Sequence, residues 1–222
     1  MMKVRYGVFV IVILLFATAI QISGVVSGKV VLVTGFETFG SYTTNPSQII
    51  AETLNGTTVD GAAIIGIVLP VDFNTSIEQA LTAIELYHPD LVMSLGLNAR
   101  AQEIRVEKVG INLKRYPKDD GTWSFPQRID VAGRFFRLSP LPARDIVRAI
   151  RAIQIPASIS CYAGTYMCNY LLYRLLSYEA MQAETSTIGF IHVPLLDSQD
   201  PKGMPLQSMV DAVTLAIQVS LE

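Results

Sequence analysis

Two cysteines and two histidines are the chain's whole supply of thiol and imidazole. Cys168 stands in the stretch Ile155–Tyr173, IPASISCYAGTYMCNYLLY. Ala157–Cys161 predicts a short buried strand, Ala163-Gly164-Thr165 a turn, and an apolar helix starts near Tyr166 and runs to about Gln182. Cys168 then falls in the first helical turn, where unpaired amide N–H groups and the positive end of the helix dipole favour a thiolate. Such a thiolate is a nucleophile in need of a base. The alternative is an inert thiol, since free cysteines are among the most buried residues, and the stretch alone leaves both open.

His88 precedes Pro89 at the end of a predicted amphipathic helix, Asn74–Tyr87, which marks it as a surface residue of a helix terminus. His192 ends a predicted strand, Thr187–Val193 (TIGFIHV), just before Pro194. If all strands are parallel, it shares a rim with the start of the Cys168 helix. That makes His192 the good base, and a third group orienting the imidazole would complete the set. A carboxylate is available in the polar, irregular stretch 98–135, which is too long for a plain connection and has room for short strands at Ile104–Val106 and Val109–Asn112. Glu107 lies between those strands. Taken by itself it reads as a surface ion pair with Lys108 or Arg105.

The elements that must position these groups follow a strand–helix rhythm. Lys29–Gly35 (KVVLVTG) is a β-branched run typical of a central strand. It leads into GFETFG, residues 35–40, where Phe36 and Phe39 wall a small apolar pocket or pack under the loop. Neither the glycine spacing nor a following Lys-Ser/Thr makes this a phosphate loop. Asn45-Pro46 opens a helix that stops at Asn55-Gly56. Strands at Ala62–Pro70 and Asp90–Leu97, a helix at Ala143–Ile153 after Pro142, and a closing helix at Met204–Leu221 complete the pattern. The fold class is α/β, a single domain over residues 28–222 with a mostly parallel central sheet.

Composition agrees and narrows the function. Half of the 222 residues are hydrophobic and 16% are charged, as expected for a sheet covered on both faces. The net charge of −2, without a basic block past the N-terminus, argues against nucleic acid as a partner. Two cysteines seven apart and two histidines give no metal-site spacing, and no cofactor is expected. The N-terminus differs: Lys3 and Arg5 precede an apolar run, Gly7–Ile20, that extends toward Val26. Residues 1–27 therefore read as a signal peptide or, through residues 7–26, a membrane tether, which places the domain outside the cytoplasm. In an oxidising compartment Cys161 and Cys168 would pair only if their geometry permits.

GFETFG with Asn45-Pro46, LPVDF, Glu107 in VEKVGIN, AGTYMCN and GFIHVP resemble, in order and spacing, the motifs of pyroglutamyl peptidase I (pyrrolidone-carboxylate peptidase). The resemblance covers residues 29–222. It implies a single three-layer α/β/α domain, commonly a homo-oligomer, that removes N-terminal pyroglutamyl residues from peptides without a metal. It casts Cys168 as nucleophile, His192 as base and Glu107 as the group orienting the histidine. Phe36 and Phe39 match the aromatics that sandwich the lactam ring. Arg115, in RYPKDDG, matches an arginine near the reacting carbonyl once two residues are deleted before it. Thr38, Ser41 and Leu97 depart from the proline, glycine and glutamine usual in the family. Two other functions stay open: a cysteine amidohydrolase with a different acyl group, and a membrane-tethered binding protein on the same fold.

Overall fold

A computed structural model describes residues 28–182 and 186–222. The predicted leader lies in residues 1–27, outside them. Strand β1 (Val30–Phe36) enters at the centre of the sheet and helix α1 (Pro46–Leu54) follows it. The Asn45 side chain caps α1 by accepting the Ser47 N–H, with Pro46 in the first position, where its missing N–H costs nothing. Then come β2 (Thr58–Val59), β3 (Ala62–Leu69) and α2 (Phe73–Tyr87). Asp72 caps α2 through the N–H groups of Asn74 and Thr75, and His88, exposed with φ 44°, closes it in a left-handed turn. The chain continues through β4 (Leu91–Leu97), β5 (Ile104–Glu107), β6 (Val109–Ile111), β7 (Phe136–Leu138) and α3 (Ala143–Ala152). It ends with β8 (Ala157–Ser160), α4 (Met167–Glu179), β9 (Thr187–Val193) and α5 (Leu206–Leu221).

Seven strands form one sheet in the order β2-β3-β1-β4-β9-β5-β8, and β6 pairs with β7 separately. The pairs β3–β1, β1–β4 and β4–β9 are parallel, and so is β5–β8. The α/β architecture with a mostly parallel sheet is therefore as expected from the rhythm of the chain. Two pairings break the all-parallel expectation: the short β2 runs antiparallel to β3 at one edge, and β5 runs antiparallel to β9. Alternation along the strands sorts the core into two layers. Val31, Val33, Met93, Leu95, Ile191 and Val193 face α1, α3 and α5, while Leu32, Phe36, Val92, Ile188 and Phe190 face α2 and α4.

Two local expectations change. Ala157–Cys161 is not a buried strand, because β8 is the sheet edge and Ile159 is 41% exposed. The stretch 98–135 is better ordered than its composition suggests, since residues 113–127 double back as an arm with bridges Lys114↔Gln127 and Pro117↔Trp123.

Candidate active site

The α2/α4 face of the sheet carries the reactive groups. Cys168 is the second residue of α4, which begins without a side-chain cap, so no capping oxygen takes up its first-turn amides. Gly96 of β4 provides the clearance for its sulfur: a Cβ there would lie 2.8 Å from Cys168 Sγ and 2.8 Å from the Phe190 ring. In the β4–β9 register the partner of Gly96 is His192. The sulfur thus rests on the sheet one strand away from the imidazole, near enough to act on the charge of the ring.

Glu107 reaches the same imidazole from the other side. The antiparallel register sets Glu107 opposite Phe190 and Arg105 opposite His192, so Glu107 and His192 are diagonal neighbours on one face. Glu107 Oε1 lies 2.8 Å from His192 Nδ1, and both residues are buried. The surface ion pair expected for Glu107 is not formed. Lys108 instead donates to the carbonyls of Ser139 and Leu141, and Arg105 pairs with Glu103 at 3.5 Å. Burial alone would lower the His192 pKa. The charge and hydrogen bond of the Cys168 sulfur, and then those of Glu107, outweigh it and raise it from 6.5 to about 9. With Nδ1 committed to the carboxylate, Nε2 is the nitrogen left for the sulfur.

Next to the sulfur is a small, narrow cavity lined by Phe36, Phe39, Asn45, Val71, Leu97, Tyr166, Met167 and Cys168. Both predicted aromatics therefore line it. Asn45, read from the sequence only as a helix cap, also lines it, although much of its amide is committed. Its Nδ2 donates to the Glu37 carbonyl, and its Oδ1 accepts from the Ser47 amide and hydroxyl. Tyr166 has its phenol pKa raised, chiefly by burial and then by the charges of Asp72 and Cys168. Arg115 is not among the lining residues. Its backbone N–H donates to the Thr165 carbonyl at 2.6 Å and its Nε to the Ser124 carbonyl at 2.8 Å, so it straps the arm to the turn before α4. Cys161 and Cys168 are both free thiols, and Cys161 is exposed.

Asn169 ends the AGTYMCN stretch, and none of the motifs assigns it a role. Fully buried beside Cys168, it accepts the Ile111 N–H and donates to the carbonyls of Ile111 and Leu113. It fixes the base of the arm to the helix that carries Cys168. The signal was present in the sequence as an amide within an otherwise apolar helix, since a buried amide must find partners.

The sequence model of the pyroglutamyl peptidase family matches residues 29–222. The pyrrolidone-carboxylate peptidase of Thermococcus litoralis is 32% identical, over 87% of this chain and 94% of the relative. Pyrrolidone-carboxylate peptidase 2 of Caldanaerobacter subterraneus subsp. tengcongensis is 37% identical over 85% and 95%. Among solved structures, the pyroglutamyl peptidase I of Bacillus amyloliquefaciens superposes with a TM-score of 0.81 at 31% identity, over 87% of this chain and 95% of that one. These relatives correspond along nearly their whole length to the α/β domain, with nothing as long as residues 1–27 left over. The extracytoplasmic or membrane-anchored placement rested on those residues alone. It is overturned by these relatives, and no helix among the described residues is long and apolar enough to cross a membrane. On motif order, fold and relatives alike, the chain belongs to the pyroglutamyl peptidase family.

Proposed function

We propose that the chain is a cysteine exopeptidase that removes N-terminal pyroglutamyl residues from peptides, with residues 28–222 as the catalytic unit. One observation carries this: a buried carboxylate is hydrogen-bonded to an imidazole that neighbours a sulfur at the wall of a small apolar cavity. The cavity is small and its lining almost wholly apolar, with Phe36 and Phe39 among its walls. That suits a compact neutral ring held between Phe36 and Phe39.

In this mechanism the Cys168 thiolate attacks the pyroglutamyl carbonyl carbon while His192, protonated, stands beside it. The first-turn amides of α4 stabilise the oxyanion, an effect worth roughly 3–4 kcal/mol per donor where it has been dissected. Collapse of the adduct breaks the C–N bond. His192 Nε2 gives its proton to the leaving amine, and a thioester to Cys168 remains. The now neutral imidazole takes a proton from water, whose oxygen attacks the thioester and frees pyroglutamate and the thiolate. Glu107 holds the ring by accepting the Nδ1–H and stabilises its charged form. Arg115 acts at a distance in this scheme, by fixing the turn that leads into α4.

A panel of acyl-coumarin substrates tests this. Release from pyroglutamyl-coumarin alone, lost in Cys168→Ala, is the expected result, and a fully active Cys168→Ala variant would refute it. The apolar Leu97 in the lining favours one second reading, an amidohydrolase of altered acyl specificity, which release from a different acyl group would reveal. Self-association is also proposed, because Phe136, Leu138, Ile159 and Tyr162 leave apolar surface exposed around the β8 edge. Light scattering should then show an oligomer that Leu138→Glu dissociates.

A further inference from the structure

A peptidase must hold the leaving peptide as well as the acyl ring, and this inference rests on the pyroglutamyl reading given above. The cavity accounts for the ring. What lies outside it is the arm of residues 113–127. Its turn is closed by Lys118 N–H to the Thr122 carbonyl at 2.8 Å and Gly121 N–H to the Lys118 carbonyl at 3.0 Å, with Gly121 at φ +77°. The Asp120 carboxylate accepts the N–H and hydroxyl of Thr122. Tyr116 and Ser124 tie the two halves together, Ser124 N–H to the Tyr116 carbonyl at 2.9 Å and Tyr116 N–H to Ser124 Oγ at 3.1 Å. Arg115 and Asn169 bind the base to the start of α4. The arm is therefore a braced element whose position is set by the same turn that sets the sulfur.

On this arm Trp123 is 46% exposed, although nothing about stability favours leaving so large an apolar ring in water. Its ring meets the Tyr166 ring edge-on, with centroids 5.3 Å apart and planes at 81°. Tyr166 in turn lines the acyl cavity and meets Phe73 edge-on at 5.6 Å. Tyr166 and Trp123 thus lead from the cavity wall to solvent, with Phe73 packed against Tyr166. An extended peptide advances at most about 3.3–3.6 Å per residue. Tyr166 and Cys168 line the same cavity, and the centroid of the Trp123 ring lies 5.3 Å from that of Tyr166, a span of about one to two extended residues.

We propose that Trp123, with Pro117 paired opposite it on the arm, forms a leaving-side subsite for an apolar or aromatic residue directly after the pyroglutamyl group. The preferred substrates are then peptides beginning pyroglutamyl-aromatic or pyroglutamyl-aliphatic. A contact between one half-exposed ring and an aromatic side chain corresponds to about 3- to 10-fold in kcat/KM over alanine.

The test compares pyroglutamyl-phenylalanine amide with pyroglutamyl-alanine amide, following amine release by mass spectrometry, for the full chain and for Trp123→Ala and Trp123→Phe. The expected result is a Phe:Ala preference of about 3- to 10-fold that collapses toward unity in Trp123→Ala and largely survives in Trp123→Phe, with melting temperatures alike. A preference of unity in the unmodified chain, or one that Trp123→Ala leaves intact, overturns the subsite while leaving the peptidase assignment standing. Failure of the unmodified chain to cleave either peptide overturns that assignment, and the subsite with it.

Discussion

Cys168→Ala should change the titration of His192 more than any other single substitution at the site. His192 is 5% exposed, and burial by itself works against its charge. The sulfur's charge and hydrogen bond lead the effects that raise its pKa, ahead of those of Glu107, and together they lift it from 6.5 to about 9. That lift corresponds to roughly 3 kcal/mol in favour of imidazolium. Removing the sulfur deletes the two leading contributions and keeps the burial, so the midpoint should fall by about one pH unit or more. Glu107→Gln should lower it less. With only two histidines, imidazole-labelled NMR reads the titration directly, and a His88→Gln background assigns the signals. Stability gives a second readout. Because the folded pKa lies above the unfolded value, the contribution is fully present below 6.5 and is lost as pH rises through about 9. The urea midpoint should therefore drop across that window in the unmodified chain and drop less in Cys168→Ala. A His192 midpoint that Cys168→Ala leaves unmoved, or one below 6.5 in the unmodified chain, would refute the coupling.

Glu107→Gln should keep the geometry yet lose roughly 10²–10⁴-fold in kcat, leaving a measurable remnant, and the alkaline limb of its kcat/KM profile should move to lower pH. Gly96→Ala puts a methyl group 2.8 Å from both Cys168 Sγ and the Phe190 ring. Thermal melts should show a loss of about 1–3 kcal/mol, and displacement of the sulfur should cost on the order of 10²-fold in kcat; unchanged kinetics would contradict the assigned contact. Gln199 donates to the Thr44 carbonyl at 2.9 Å and accepts the Leu196 N–H at 3.0 Å, which ties the loop carrying Phe39 to the segment after His192. Gln199→Ala should raise KM by about 2- to 10-fold, the equivalent of one hydrogen bond, with the pH profile unmoved; a fall in kcat at constant KM would contradict this.

What could be read from the chain followed from local rules. The turn before Tyr166, the strand ending in His192 and the Asn45-Pro46 cap each announce themselves within a few residues, and each is where it was expected. Glu107 did not announce itself. Its neighbours Arg105 and Lys108 are the partners a local reading supplies, whereas its actual partner is 85 residues away and is reached through the reversal of β5 against β9. Sheet order and direction are set by long-range pairing, which no single segment encodes. The same holds for β8. Its residues have strand character, but whether a strand is central or at the edge depends on what pairs with it. The arm escaped notice because its order comes from polar bonds and a tight turn rather than from an apolar period.

The two faces of the sheet also differ in polarity, and this leads to a last expectation. Thr34 Oγ1, Ser94 Oγ and Glu107 Oε2 are buried without a hydrogen-bond partner among the described residues, and all three lie on the α2/α4 face. Thr34 and Ser94 are register partners, and Ser94 is paired in turn with Phe190, so the two hydroxyls lie side by side one step below Phe36 and Gly96. The opposite face is filled by hydrocarbon. An unmade hydrogen bond on a buried hydroxyl costs about 1–3 kcal/mol, while an apolar isostere avoids that cost. Thr34→Val preserves shape and Ser94→Ala removes one atom, so neither should lower the unfolding free energy in urea, and together they should raise it by up to a few kcal/mol. If these substitutions stabilise the fold and lower kcat/KM, the polar floor is a functional feature kept at the expense of stability. A loss of about 1 kcal/mol or more from each, the signature of a hydroxyl that had a partner, would show that this face is satisfied after all.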